Sequence, residues 1–197
     1  MKSLELLNKL GKIPLFTTSD IKRYLKISEN SLRKTIWRYR KNGMLLKLKN
    51  GLYTVKGGKE PDSFLLANKL YSPSYISFET ALSYYGLIPD TIYIVTCATT
   101  KITRNFSSFG REFVYRKIKS EAYDGYKPVN IAGNTVLIAE PEKAFADYLY
   151  FVFLKKIKYN DRINIKKLNK SRVEKYIRSY NNRDFSGWRD NAFRNRS

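Results

Sequence analysis

Asn50-Gly51 stands between two short runs that read as paired strands, and a strongly basic helical stretch leads into them. That order constrains residues 17–56 more than any other feature of the chain. Leu46-Lys47-Leu48-Lys49 alternates apolar and basic side chains with the period of a strand, and Leu52-Tyr53-Thr54-Val55 returns. The Asn-Gly pair between them suits a type I′ turn, whose two central residues both need positive φ. Upstream, Gly43 is a usual helix stop, so a helix is predicted to run to about Asn42, with Ser28-Glu29-Asn30-Ser31 supplying a turn and its N-cap. Before that, Thr17-Thr18-Ser19-Asp20 has the Ser/Thr-x-x-Asp spacing that satisfies free N–H groups at a helix start. The short helix so opened keeps Ile21, Tyr24 and Leu25 on one face.

Capped helix, turn, basic helix and basic hairpin, in that order, make the winged helix-turn-helix pattern. On the second helix, Leu32, Thr35, Ile36 and Tyr39 fall on one side at roughly 100° per residue, which marks the core-facing stripe. The opposite side carries Asn30, Lys34, Trp37, Arg38 and Lys41, with Arg33 and Arg40 on a flank and Ser31 near the N-terminus. A helix of this kind lies in a major groove, where Arg or Lys reaches guanine acceptors and Asn reaches adenine. The alternation in the hairpin sends Lys47 and Lys49 to one face, where with Asn50 and Tyr53 they would meet the phosphate backbone. Trp37 has two readings: a groove contact, or a ring packed beneath the hairpin or against a second domain.

Charge is segregated along the chain. Residues 1–60 carry 15 Lys and Arg against 4 Asp and Glu, residues 61–154 carry 9 against 9, and residues 155–197 carry 14 against 4. Two polyanion-facing ends around a neutral middle account for the net +21 better than a solubility requirement does. A length of 197 residues fits one large domain or two small ones. Gly57-Gly58-Lys59-Glu60-Pro61 is the natural linker, so the expected division is 1–58 for the winged helix and 59–197 for a second domain. The latter would comprise a neutral α+β core, 59–154, and a basic helical tail, 155–197.

In that core, Asp62 to Leu70 reads as a helix with Phe64, Leu65, Ala67 and Leu70 available for burial, and Glu79 to Tyr85 reads as another, stopped by Gly86. Ile92 to Cys97 and Glu112 to Arg116 are strand candidates, and a hairpin is expected around Ala132-Gly133-Asn134. Glu140-Pro141-Glu142 opens a further helix, with proline at its first position and carboxylates at the positive end of its dipole. Ala144, Phe145, Tyr148, Leu149 and Val152 recur on it at core-facing spacing. The expected fold class is α+β throughout.

Several of these segments resemble AbiEi-type antitoxins. Phe78-Glu79-Thr80-Ala81-Leu82-Ser83-Tyr84-Tyr85-Gly86-Leu87-Ile88-Pro89 is similar to that family's helix-to-Gly-Leu segment, and Ile92 to Cys97 to the strand after it. Ile138-Ala139-Glu140-Pro141-Glu142-Lys143-Ala144-Phe145-Ala146-Asp147 resembles its Ala-x-Pro-Glu-Lys-Ala…Asp helix start, and Gly51-Leu52-Tyr53 the end of its wing. The resemblance runs in order from the winged helix through Asp147; Phe185 to Ser197 has no counterpart in it. It implies an antitoxin of a type IV toxin–antitoxin, phage-defence system. In such a protein the winged helix represses its own operon by binding repeats in the promoter, and the C-terminal domain counteracts a nucleotidyltransferase-like toxin without needing a stable complex. Carried onto this chain, Lys34, Arg38 and Lys41 would approach the groove and Lys47, Lys49 and Asn50 would hold the backbone.

Catalytic motifs are missing from the sequence. With no histidine there is no imidazole base, and one cysteine builds no zinc cluster. Neither a Gly-x-x-x-x-Gly-Lys-Ser/Thr loop nor a Gly-x-Gly-x-x-Gly turn occurs. The single acidic-x-Lys triplet, Asp20-Ile21-Lys22, precedes both Pro-Asp pairs, against the order a Pro-Asp…Asp/Glu-x-Lys nuclease needs. No enzyme, cofactor or metal is expected, and Glu140 and Glu142 read as helix-start carboxylates. Lone Cys97, in an apolar run, reads as a buried core thiol of a reducing cytoplasm. The N-terminus lacks a sustained apolar run and Tyr148 to Leu154 is too short to span a bilayer, so a soluble protein without a membrane partner is expected.

The basic C-terminal block reads either as solvated helix faces or as a second polyanion surface. Lys155, Lys156 and Lys158 follow the apolar helix, and Arg162, Lys166, Lys167, Lys170, Arg172, Lys175 and Arg178 decorate two short helices. Phe185, Trp188 and Phe193, interleaved with Arg183, Arg189 and Arg194, could stack on bases or form a docked tail. These features keep a second function open: an RNA-binding module for tRNA or ribosomal RNA that regulates no promoter. The hairpin argues for duplex DNA, because A-form RNA hides its major groove.

Overall fold

Local capping and long-range strand pairing together build a mixed α+β molecule, described by a computed structural model over residues 2–194. The chain divides into two compact units, 1–70 and 71–197. The division falls after Leu70, downstream of the Gly57-Gly58 linker.

The first unit runs α1 (Lys2–Leu10), β1 (Phe16–Thr17), α2 (Thr18–Leu25), α3 (Glu29–Lys41), β2 (Leu45–Lys49), β3 (Leu52–Val55) and α4 (Ser63–Leu70). Its three strands form one antiparallel sheet in the order β1-β3-β2, with Phe16 opposite Tyr53 and Leu45 opposite Val55. Leu6 and Leu10 of α1, Ile21 of α2 and Leu32, Ile36 and Tyr39 of α3 close over the sheet onto Phe16, Leu45 and Tyr53. Full burial of one such aliphatic side chain is worth roughly 1.5–3 kcal/mol, so this cluster accounts for most of what holds the helices on the sheet. Helix α1 and Phe16 of β1 lie outside the pattern read from residues 17–56, yet they complete its core. Asp62 caps α4, its Oδ1 accepting from the N–H groups of Phe64 and Leu65 at 2.9 and 3.3 Å, and Leu66 is buried there while Phe64 stays half-buried.

The second unit holds a six-stranded mixed sheet. In chain order its elements are β4 (Tyr75–Ile76), α5 (Phe78–Tyr84), β5 (Ile94–Thr99), β6 (Arg104–Ser108), β7 (Arg111–Lys117), β8 (Tyr126–Ile131), β9 (Asn134–Ala139), α6 (Pro141–Phe153), α7 (Lys170–Arg178) and α8 (Arg183–Arg194). The sheet order is β6-β7-β5-β4-β9-β8, with β5–β7 and β4–β9 parallel and the other neighbours antiparallel. Two-residue β4 thus joins a three-strand ribbon, β6-β7-β5, to a two-strand ribbon, β9-β8, through Tyr75 and Ile76. The β8–β9 hairpin turns on Ala132 (φ 51°) and Gly133 (φ 79°), the doubly left-handed pair of a type I′ turn. Arg116 of β7 clamps α5: its guanidinium donates to both Glu79 oxygens at 2.7 and 3.3 Å and lies over the Phe78 ring. Cys97 is fully buried in β5, and burial pushes its thiol pKa up, which keeps it protonated and unreactive.

Candidate nucleic-acid interface

Helix α2 begins in a reciprocal capping box. Thr17 Oγ1 accepts from the Asp20 N–H at 3.2 Å, and Asp20 Oδ2 accepts from the Thr17 N–H at 2.8 Å. The hydrogen bond from the Thr17 backbone is the main reason the Asp20 carboxyl titrates below its usual range. The helix ends with Lys26 in the left-handed region (φ 51°), and Ser28 then caps α3, its hydroxyl accepting from the Ser31 N–H at 3.4 Å. Two local caps therefore set where α3 starts, and Leu32, Ile36 and Tyr39 set which face it buries.

Buried on that side, α3 leaves its basic side wholly open. Asn30, Ser31, Arg33, Lys34, Trp37, Arg38, Arg40 and Lys41 are all exposed. Asn30, Lys34, Trp37 and Lys41 follow one another at i, i+4, i+7 and i+11, which places them in a single row along the helix. Trp37 is 60% exposed, so within the first unit it does not pack beneath the hairpin. Lys41 Nζ stands 5.0 Å from its ring centroid.

The hairpin is built differently from the sequence expectation in three respects. Gly51 has φ 78° but Asn50 is not left-handed, so the turn is not type I′. The register shifts between Lys47 and Lys49, where an irregularity leaves Leu48 without an opposite partner and breaks the alternation. As a result Lys47 and Asn50 are exposed, Lys49 is half-buried, and Leu46 is 39% exposed where an inward position was expected. Tyr53 is the third departure. Only 7% exposed, it sits in the core because β3 is the central strand, flanked by β1 as well as β2. No local signal in the sequence announces that pairing with Phe16. The turn itself is tied down: the Gly51 carbonyl accepts from the Thr18 N–H at 3.1 Å, fixing the hairpin tip to the start of α2.

The second unit contains a different concentration of polar groups, buried around α6. Asp147 is fully buried and accepts hydrogen bonds from Tyr75 (2.9 Å), Ser77 (2.7 Å) and Tyr180 (2.6 Å). Lys143, also fully buried and one helical turn away, places Nζ 2.5 Å from Asp147 Oδ1 and 4.9 Å from the Tyr180 ring centroid. At the start of α6, Glu140 accepts from Tyr176 at 2.6 Å and pairs with Arg172. The Tyr176 hydroxyl, and then Arg172, hold the Glu140 carboxyl below its usual range. Glu142 accepts from the Asn169 N–H at 3.2 Å. These carboxylates fasten α6 to α7, beyond the helix-start role read from the sequence. Opposite charges one turn apart, Lys143 and Asp147, within a mostly apolar helix are the sequence signal for such a buried pair.

The basic tail is partly spent on the same fastening. Arg172 is held by Glu140, and Arg162 donates to Asp90 at 2.6 Å. Lys166, Lys167, Lys170, Lys175 and Arg178 remain exposed. Phe185 does not project for stacking: it is fully buried among Tyr150, Phe153 and Tyr180, and half-buried Trp188 lies against Phe153. The side chains of Arg189, Phe193 and Arg194 lie outside the described residues.

Among the described residues no group of three or more His, Cys, Asp or Glu side chains could hold a metal ion, and no helix is long and apolar enough to cross a membrane. No protein-family model matches the sequence, and no curated protein matches it significantly.

Proposed function

We propose that the first unit is a winged helix-turn-helix that binds duplex DNA, and that the chain is an AbiEi-like antitoxin that represses its own promoter. The observation that carries the DNA-binding part is the open basic side of α3, between a capped α2 and a hairpin held by its turn. Helix α3 is the element suited to the major groove, since its whole outward row is polar or basic apart from Trp37. Lys34, Arg38 and Lys41 then approach base edges, and Lys47, with Asn50, meets the backbone. Lys49, half-buried, is a weaker contact, and Tyr53 supports the hairpin from within.

Support for the antitoxin part comes from the AbiEi-like segments, Phe78 to Pro89 and Ile138 to Asp147. Both are central to the second unit, the first as α5 and its exit, the second as the buried start of α6. The partner implied is a nucleotidyltransferase-like toxin, countered without a stable complex.

The DNA-binding part is tested by fluorescence anisotropy with the duplex upstream of the chain's own gene. At ~150 mM salt, where non-specific phosphate attraction is damped, the upstream duplex is expected to bind at least tenfold tighter than a scrambled one. Equal affinities would sink the repressor reading, and tighter binding to a structured RNA than to either duplex would replace it with RNA recognition.

A further inference from the structure

We infer that Trp37 is a specificity-determining residue that reads the C5-methyl groups of thymine in the major groove. This rests on the DNA-binding reading above. In the row Asn30, Lys34, Trp37 and Lys41, three members offer hydrogen bonds or charge, and the fourth is a large apolar ring left 60% exposed. Its neighbour Lys41 stands over one face at 5.0 Å, which steers the ring without covering it. An aromatic side chain in the middle of a polar surface gains by meeting apolar atoms, and burial of an indole is too favourable to be indifferent to what it meets. In an intact duplex the base faces are stacked and out of reach, and the apolar group that base edges present in the major groove is the thymine methyl. The indole N–H is a single donor, so it makes at most one hydrogen bond to a purine acceptor where Arg or Asn makes a bidentate pair, and it discriminates among purines weakly.

The ring's position also separates it from the phosphate contacts. Those belong to cationic side chains, whereas Trp37 is uncharged and central on α3. Removal of the ring is therefore expected to alter which bases are preferred and to leave the salt dependence of binding unchanged.

Deoxyuridine supplies the test, because it differs from thymidine by the methyl alone. A duplex selected from a random library by the full-length chain would be synthesised with thymine and again with every thymine replaced by uracil. The wild-type chain is expected to bind the uracil duplex more weakly, by roughly fourfold for each methyl the ring covers. Trp37→Ala is expected to bind the thymine duplex more weakly, to show little difference between the two duplexes, and to melt at the wild-type temperature because the ring lies on the surface. The same thymine-to-uracil ratio in wild type and variant, or a selected site without thymine, overturns the role of Trp37 while leaving DNA binding intact. A library that yields no enriched sequence overturns the DNA-binding reading itself, and the inference with it.

Discussion

Asp147 takes hydrogen bonds from three hydroxyls and lies beside an ammonium, all without solvent. A buried charge is tolerable only when paired and hydrogen-bonded, so each partner of this set depends on the others. The two members of the ion pair are not equivalent. Asp147→Ala strands a buried Lys143 and leaves three hydroxyls without their acceptor, and is expected to cost about 3–5 kcal/mol. Lys143→Met leaves Asp147 with all three hydroxyl donors and fills the space with a flexible apolar chain, so it should cost clearly less. Urea denaturation of both variants measures the asymmetry, and equal losses would contradict it. Nearby, Gly125 holds φ 72° and packs so tightly against Tyr176 that an added Cβ would come within 2.5 Å of that ring. That glycine is fixed twice over, by backbone conformation and by the ring that also donates to Glu140.

At the scale of elements, β4, α6 and the link between α7 and α8 are joined by Tyr75, Ser77 and Tyr180 converging on Asp147. Burial, and next the charge of Asp147, raise the pKa of Tyr75 and of Tyr180 well above 10.0. The folded chain thus keeps these protons at a pH where the unfolded chain has released them. Their contribution is fully present below about pH 10, the ordinary tyrosine value, and is lost as the pH rises beyond it. The melting temperature followed by circular dichroism is expected to fall steeply above pH 10, and less steeply in Tyr180→Phe. A melting temperature that stays level to pH 11 would rule this linkage out. Elements set by local chemistry were legible in the sequence: the Thr17–Asp20 box, the Ser28 cap, the stop at Gly43 and the proline at the start of α6 all lie within a few residues of what they control. Elements set by distant partners were not. Strands β1 and β4 are two residues long and exist through Tyr53, Ala98, Cys97 and Ile138, far along the chain. The outward residues of α3 were readable because a helix repeats its faces regularly. Tyr53 was misread because its burial depends on Phe16 across the sheet.

At the scale of the molecule, net charge of +21 ensures attraction to any polyanion, so specificity must come from the few groups placed to read it. The proposed repressor and antitoxin activities rest on different units, and a surface change in one is expected to leave the other working. A full-length chain with Lys34, Arg38 and Lys41 all replaced by alanine should lose selective promoter binding. If the antitoxin proposal holds, co-expression with a cognate nucleotidyltransferase-like toxin should show growth restored by this variant and the wild type alike. Growth lost together with promoter binding would mean that one surface serves both. The six-stranded sheet has an implication for how the second unit comes together. The β8–β9 hairpin and the β5–β6–β7 ribbon each close over short stretches of chain, whereas the Ile76–Ile138 pairing must close a long one. Chain entropy makes that closure the slow step of assembly. The two ribbons should therefore gain protection from amide hydrogen exchange early in refolding, with β4 added through its short closure onto β5, and the seam between β4 and β9 should close last.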